Sequence, residues 1–223
     1  KYSKIAFGID PIWRGKKYRY KNVKVLGKFI ENVDFKKDIK FIPNTIISTH
    51  NLEHIENPFK MLRNLSLNIG DNATIFIEVP DGKTMIDNLR FDQIFHQHYH
   101  YFTLKSLKNL GNRLGLEVKN FSLNKKFWGG SLMVEMKKNN KIENKIIKSN
   151  NLEKKIKKNL LKFKKKYSKI KKKMFKSNNL IAYGAGQMTP TFAYHLNSNF
   201  DKIKYILDDN KFKNKCFYPG LKP

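Results

Sequence analysis

The stretch from Pro43 to Pro80 constrains the fold more than any other part of this chain. Pro43-Asn-Thr-Ile-Ile-Ser-Thr49 has the length and apolar, β-branched content of a buried strand. A polar loop follows, His50-Asn51-Leu52-Glu53-His54-Ile55-Glu56-Asn57, and then Pro58. Proline is tolerated in the first turn of a helix because the N–H it lacks would have no partner there. Phe59, Leu62, Leu65 and Leu67 supply the helix with an apolar side, Gly70 stops it, and Ala73 to Val79 reads as a second strand. Strand, helix and strand in that order predict a parallel βαβ unit, since parallel strands need a crossover between them. In open parallel sheets ligands sit beyond the carboxyl ends of the strands, where His50, His54 and Glu78 fall.

The flanking segments extend this pattern. Lys4 to Asp10 is a short apolar strand ending on an acid before Pro11, and Val23 to Phe29 alternates as another. An acid at such a strand end either accepts hydrogen bonds from a ribose or opens an Asp-Pro turn. Thr103 caps a helix carrying Leu104, Leu107, Leu110 and Leu114 as far as Gly115. Leu116 to Phe121 and Ser131 to Met136 form a closing pair of strands around Phe127-Trp128-Gly129-Gly130. Gly-Gly there serves a hairpin turn or lets a ligand approach the backbone. From 137 to 178 the character changes: Ile156, Leu160, Phe163, Tyr167, Ile170 and Met174 make one apolar seam in a lysine-rich helix. Leu180 to Tyr183 then leads into Gly184-Ala185-Gly186, a helix from Phe192 to Leu196, and a strand from Ile203 to Leu207 closed by Asp208-Asp209. That is half of a mononucleotide fold without the third glycine of the dinucleotide fingerprint. The expected architecture is α/β: a partial Rossmann-like sheet, a long basic helix, and a second, truncated Rossmann-like unit.

Composition narrows the function. Over 223 residues there is one cysteine, Cys216, which excludes an intrachain disulfide and a cysteine zinc cluster and fits a reducing cytoplasm. No run of 18 apolar residues occurs, so no membrane insertion is expected. The net charge of +28 suits a polyanion, but Lys and Asn are abundant throughout and Arg is scarce. Readers of phosphate and base edges lean on arginine's forked geometry, so nucleic acid is not the expected partner. The thirteen lysines between 154 and 176 read as the wet face of the helix. The chain starts on Lys1 and closes on Tyr218 to Pro223 in mid-element, the pattern expected of part of a longer protein.

The densest chemistry lies in Phe91-Asp-Gln-Ile-Phe95-His96-Gln97-His98-Tyr99-His100-Tyr-Phe-Thr103, with three of the six histidines in five residues among many rings. Apolar walls around a few polar groups suit a cleft. On a strand, His96, His98 and His100 project to one side and Phe95, Gln97 and Tyr99 to the other. Two chemistries follow: a neutral imidazole acting as a base near neutral pH, or three alternate imidazoles sharing a metal ion. His100 and His195 read as structural, and His50 as a cofactor-loop contact or a solvated residue.

Taken in order, several segments resemble one family, the S-adenosylmethionine-dependent C-methyltransferases that act on nucleotide-linked keto sugars in deoxysugar biosynthesis. They are Gly8-Ile-Asp10-Pro, Leu52-Glu-His54-Ile-Glu-Asn-Pro58, Ile77-Glu-Val-Pro80, Phe91 to His98 with Tyr101-Phe102, Gly129-Gly130-Ser131, Tyr183-Gly184-Ala-Gly186 and Tyr218-Pro-Gly220. The resemblance implies a methyltransferase domain at 1–136, a helical connection at 137–178 and a sugar-nucleotide-binding domain at 179–223. It implies S-adenosylmethionine as cofactor, with Asp10 and His50 on that side, and zinc only in an amino-terminal piece outside this chain. The first strand, with its Gly-rich loop, is likewise expected outside it. Catalytic roles fall on His98 as base, with His54 and Gln97. Substrate contacts fall on Phe95, His96, Trp128, Gly129, Gly130, Tyr183, Gly184 and Gly186. The family usually has Tyr at Phe95 and Glu at Gln97, so a hydroxyl and a carboxylate are replaced here. The rival readings are a metal-dependent enzyme on the three histidines and a non-catalytic sugar-nucleotide-binding protein.

Overall fold

The computed structural model describes residues 5–16, 19–20, 22–126, 129–139, 147 and 151–222; Phe127 and Trp128 lie outside them. The chain divides into two compact units. The first holds Lys1–Val79, Phe102–Leu123 and Leu132–Ile147, and the second Pro80–Tyr101, Asn124–Ser131 and Lys148–Pro223.

In the first unit β1 (Ala6–Ile9) runs parallel to β3 (Val23–Leu26), and β2 (Arg19–Tyr20) pairs antiparallel with β3. A second sheet has the order β4-β5-β7-β6. Its strands are β4 (Thr45–Thr49), β5 (Thr74–Pro80), β6 (Leu116–Asn124) and β7 (Ser131–Lys138). β4 and β5 are parallel, in register from Thr45 opposite Thr74 to Thr49 opposite Glu78. Helix α1 (Pro58–Leu67) crosses between them, which completes the expected βαβ unit. Asn57 starts it by accepting the Lys60 N–H at 2.9 Å, and Met61, Leu62 and Leu65 are buried. Leu67, expected on the apolar side, is 73% exposed. It lies five residues beyond Leu62, too far round the helix to share that stripe. β5 buries alternate residues, with Ile75, Ile77 and Val79 at 0% exposure. β4 is less buried than its composition predicts, with Ile47 71% exposed, because among the described residues it stands at the edge of its sheet. The next helix of this unit, α3 (Leu104–Asn112), opens with a reciprocal capping box between Thr103 and Ser106 and buries Leu107 completely. Each such core side chain contributes about 1.5–3 kcal/mol relative to exposure.

In the second unit, α2 (Gly82–Asp87) and the segment to Tyr101 pack with α4 (Leu152–Phe175) and with α5 (Thr189–Leu196). The predicted seam is the covered side of α4: Phe163 is 3% exposed, and Tyr167, Ile170 and Met174 pack on a core of Ala193, Leu196, Phe200 and Ile203. Phe163 meets Phe91 at 5.7 Å between ring centroids and His195 at 4.9 Å. Asn159, which the seam omits, is buried and donates to the Ile86 carbonyl at 2.9 Å. β8 (Leu180–Tyr183) and β9 (Ile203–Leu207) are parallel and flank α5, as the Gly-turn pattern predicts.

The histidine segment is not a strand. After a single 3-10 turn at Phe91–Gln93, the backbone from Ile94 to Thr103 is irregular, with a tight turn closed by the His98 N–H on the Phe95 carbonyl at 3.1 Å. The alternation that would set His96, His98 and His100 on one side is therefore absent. The three imidazoles do not gather together as metal ligands among the described residues.

Candidate active site

At the carboxyl end of β4 the first unit brings together His50, Glu53, His54 and Glu78. The His50 N–H donates to the Glu78 carbonyl at 2.8 Å, extending the β4–β5 ladder by one rung. Its backbone is then left-handed (φ 47°), an uncommon state for a residue with a Cβ. The chain turns through a 3-10 turn at Leu52–His54, with Leu52 fully buried as its apolar anchor. His50 Nδ1 lies 3.5 Å, and His54 Nε2 3.9 Å, from Glu53 Oε1. Glu78 Oε1 stands 4.0 Å from His50 Nε2. Glu53 is 2% exposed. Burial pushes its carboxyl above the usual range, its own backbone and the two imidazoles pulling the other way. The sequence singles out His50 and His54 but not Glu53, because nothing in residue order distinguishes a buried acid from a solvated one in a polar loop.

Asp10 follows β1. One of its oxygens accepts the Ile12 N–H at 2.9 Å, so it caps the Asp-Pro turn. The residue is exposed at the strand's carboxyl end, and its second oxygen suits a ribose hydroxyl. The two roles are compatible, and the donor set fits an adenosyl cofactor on this side.

In the second unit, His98 is half-buried with its ring 4.3 Å from Phe95 and 5.9 Å from Tyr101. The Tyr101 hydroxyl ties the segment together, accepting the Phe95 N–H at 3.3 Å and donating to the Gln93 carbonyl at 3.4 Å. Burial pushes the Tyr101 phenol up, so it stays neutral in that role. His96 and Gln97 are exposed on the same turn. Asp81 caps α2 through the Lys83 and Thr84 N–H groups, and its own N–H donates to the Gly130 carbonyl at 2.9 Å. A Cβ on Gly130 would lie 2.6 Å from Thr84 Cβ, and one on Gly129 2.7 Å from Gln93 Nε2. Both glycines thus let protein, rather than open space, approach their backbone. Trp128 lies outside the described residues.

The Gly184-Ala185-Gly186 turn borders a cavity of about 570 Å³ lined mainly by Leu180, Ala182, Met188, Phe192, Ile203 and Ile206. Side chains added at Gly184 (φ 97°) or Gly186 would meet open space. The acids after β9 are engaged: Asp208 accepts from the Ala185 N–H and Lys213, and Asp209 from the Tyr183 hydroxyl. That bond pushes the Tyr183 phenol up. His195 sits apart from this turn, among Phe163, Tyr167 and Tyr194, and burial pushes its imidazole down.

The sequence profile of the methyltransferase domain family matches residues 4–120. A stretch of 65 residues is 37% identical to the C-methyltransferase NovU of Streptomyces niveus, covering 29% of this chain and 16% of that protein. Among solved structures, an S-adenosylmethionine-dependent methyltransferase candidate from Listeria monocytogenes superposes with a TM-score of 0.47 at 14% identity, over 61% of this chain and 81% of that one. The 1,6-didemethyltoxoflavin-N1-methyltransferase of Burkholderia thailandensis, bound to S-adenosylhomocysteine, gives 0.43 at 13% identity over 60% and 61%.

Proposed function

This chain belongs to the methyltransferase domain family, and we propose that it takes part in moving a methyl group from S-adenosylmethionine to a carbon of a nucleotide-linked keto sugar. The observation that carries the carbon acceptor is the 37% identity to a C-methyltransferase. When bound, S-adenosylmethionine supplies an electrophilic methyl group on a sulfonium. The chain's own residues prepare the other partner. His98 takes a proton from the carbon next to the sugar carbonyl, leaving an enolate whose carbon is the nucleophile. The rings of Phe95 and Tyr101 hold that imidazole in one orientation. Gln97, whose carboxamide donates at any pH, or His54 meets the charge developing on the enolate oxygen. Asp10 and His50 belong to the cofactor side, and Phe95, His96, Trp128, Gly129, Gly130, Tyr183, Gly184 and Gly186 to the substrate side.

On this reading residues 1–136 are the methyltransferase domain, 137–178 the helical connection and 179–223 the substrate-binding domain of a cytoplasmic enzyme. No helix among the described residues is long and apolar enough to cross a membrane. The test is His98→Gln in the complete enzyme. Turnover falls by about 100- to 10,000-fold, the usual contribution of a general base, while S-adenosylhomocysteine affinity is retained. Undiminished turnover overturns the assignment.

A further inference from the structure

The loop between β4 and α1 contains an acid whose burial has a cost that its partners offset only in part. Glu53 is 2% exposed, and its Oε2 is buried with no hydrogen-bond partner among the described residues. A carboxylate kept for stability is normally fully paired, since an unpaired buried oxygen loses its hydration without replacement. Its other oxygen is shared by two imidazoles from opposite sides in sequence, His50 Nδ1 at 3.5 Å and His54 Nε2 at 3.9 Å. His50 reaches it from a left-handed backbone (φ 47°), a second unfavourable choice within four residues. Glu78, on β5, stands 4.0 Å from the far nitrogen of His50. Strained backbone and half-paired charge persist together where the surrounding structure holds a constellation ready for use.

We propose that Glu53 is a positioning residue, whose buried carboxylate fixes the ring orientation and tautomer of His50, and attracts His54 by charge, at the carboxyl end of β4. Its purpose rests on reading this loop as part of the methyl-transfer site. Its geometry does not. With Oε1 3.5 Å from His50 Nδ1, His50 carries its hydrogen on Nδ1 when neutral, whereas His54, at 3.9 Å, is beyond hydrogen-bond reach and is drawn by charge alone. A free imidazole has no such restraint.

Long-range proton–nitrogen correlation spectra of the whole chain read both tautomers directly. The expected result is an Nδ1–H signature for His50 in the wild type, lost in Glu53→Leu, which removes both oxygens at similar volume, and restored at least in part by Glu53→Asp. Melting curves of the same variants separate positioning from packing: the leucine variant melts no lower than wild type. Should it fail to fold, Glu53→Met, which has no oxygen to accept from either ring, is measured instead and shows the same loss of a single His50 tautomer. Ring signals unchanged in every variant, or a lower melting point with the rings unmoved, overturn the proposal. Titration of the complete wild-type enzyme with S-adenosylhomocysteine is independent of these spectra. Absence of binding counts against the methyl-transfer reading, while a tautomer change in the same samples still establishes what Glu53 does.

Discussion

Replacing Glu53 with glutamine is expected to stabilise the first unit at neutral pH. The native carboxylate leaves one buried oxygen without a partner among the described residues, a loss of about 1–3 kcal/mol. His50 and His54, at 3.5 and 3.9 Å, offset part of this. Glutamine keeps an acceptor oxygen and removes the charge, so the net gain at pH 7 is about 1–2 kcal/mol, or about 2–8 °C in melting temperature for a chain of this size. The pH dependence follows from burial having raised this carboxyl. The folded state then holds the proton more tightly than the unfolded chain. The group's contribution is fully present below the unfolded value of about 4.3 and is lost as pH rises through the folded one. The difference between variant and wild type should therefore be small near pH 4 and widen towards pH 7. Urea denaturation of both proteins at pH 4, 5, 6 and 7, followed by circular dichroism, measures it. A variant less stable than wild type at pH 7, or a gap that does not change with pH, refutes the reasoning and makes Glu53 an ordinary paired carboxylate.

Gly130→Ala should lose about 2–5 kcal/mol, about 1–2 for a left-handed backbone and 1–3 for crowding Thr84; thermal melting of the second unit reads it, and a loss under 1 kcal/mol means the loop relaxes freely. Asn159→Ala should cost about 1–3 kcal/mol by stranding the Ile86 carbonyl, measured by the same melting curves. Asp10→Ala in the complete enzyme should weaken S-adenosylhomocysteine about tenfold or more, as expected for a lost charge-assisted hydrogen bond; calorimetric titration with no change would confine Asp10 to its turn. The twelve lysines of α4 should give little DNA retention in a gel shift at physiological salt, and micromolar, steeply salt-dependent binding would contradict this.

What the amino-acid order determines by itself is local. The βαβ unit from Thr45 to Pro80, the capped helix after Thr103, the seam of α4 and the Gly turn after β8 all follow from hydrogen bonds and burial repeated every two to four residues. Such periodicities are set by neighbours along the chain. Tertiary structure decided the rest. Phe91 meets Phe163, Asn159 reaches Ile86 and Gly130 yields room to Thr84 through contacts between residues far apart in sequence, which no period encodes. The histidine segment has strand-like alternation, yet its backbone bonds close a turn at Phe95–His98 and its histidine and tyrosine rings pack within the segment. Glu53 shows the same division most sharply. Its neighbours His50 and His54 are visible in the order of residues, but its burial depends on how the loop after β4 settles over a core that includes Leu52, Leu62 and Ile77. Desolvation is a property of the surrounding volume, and only the folded chain defines that volume.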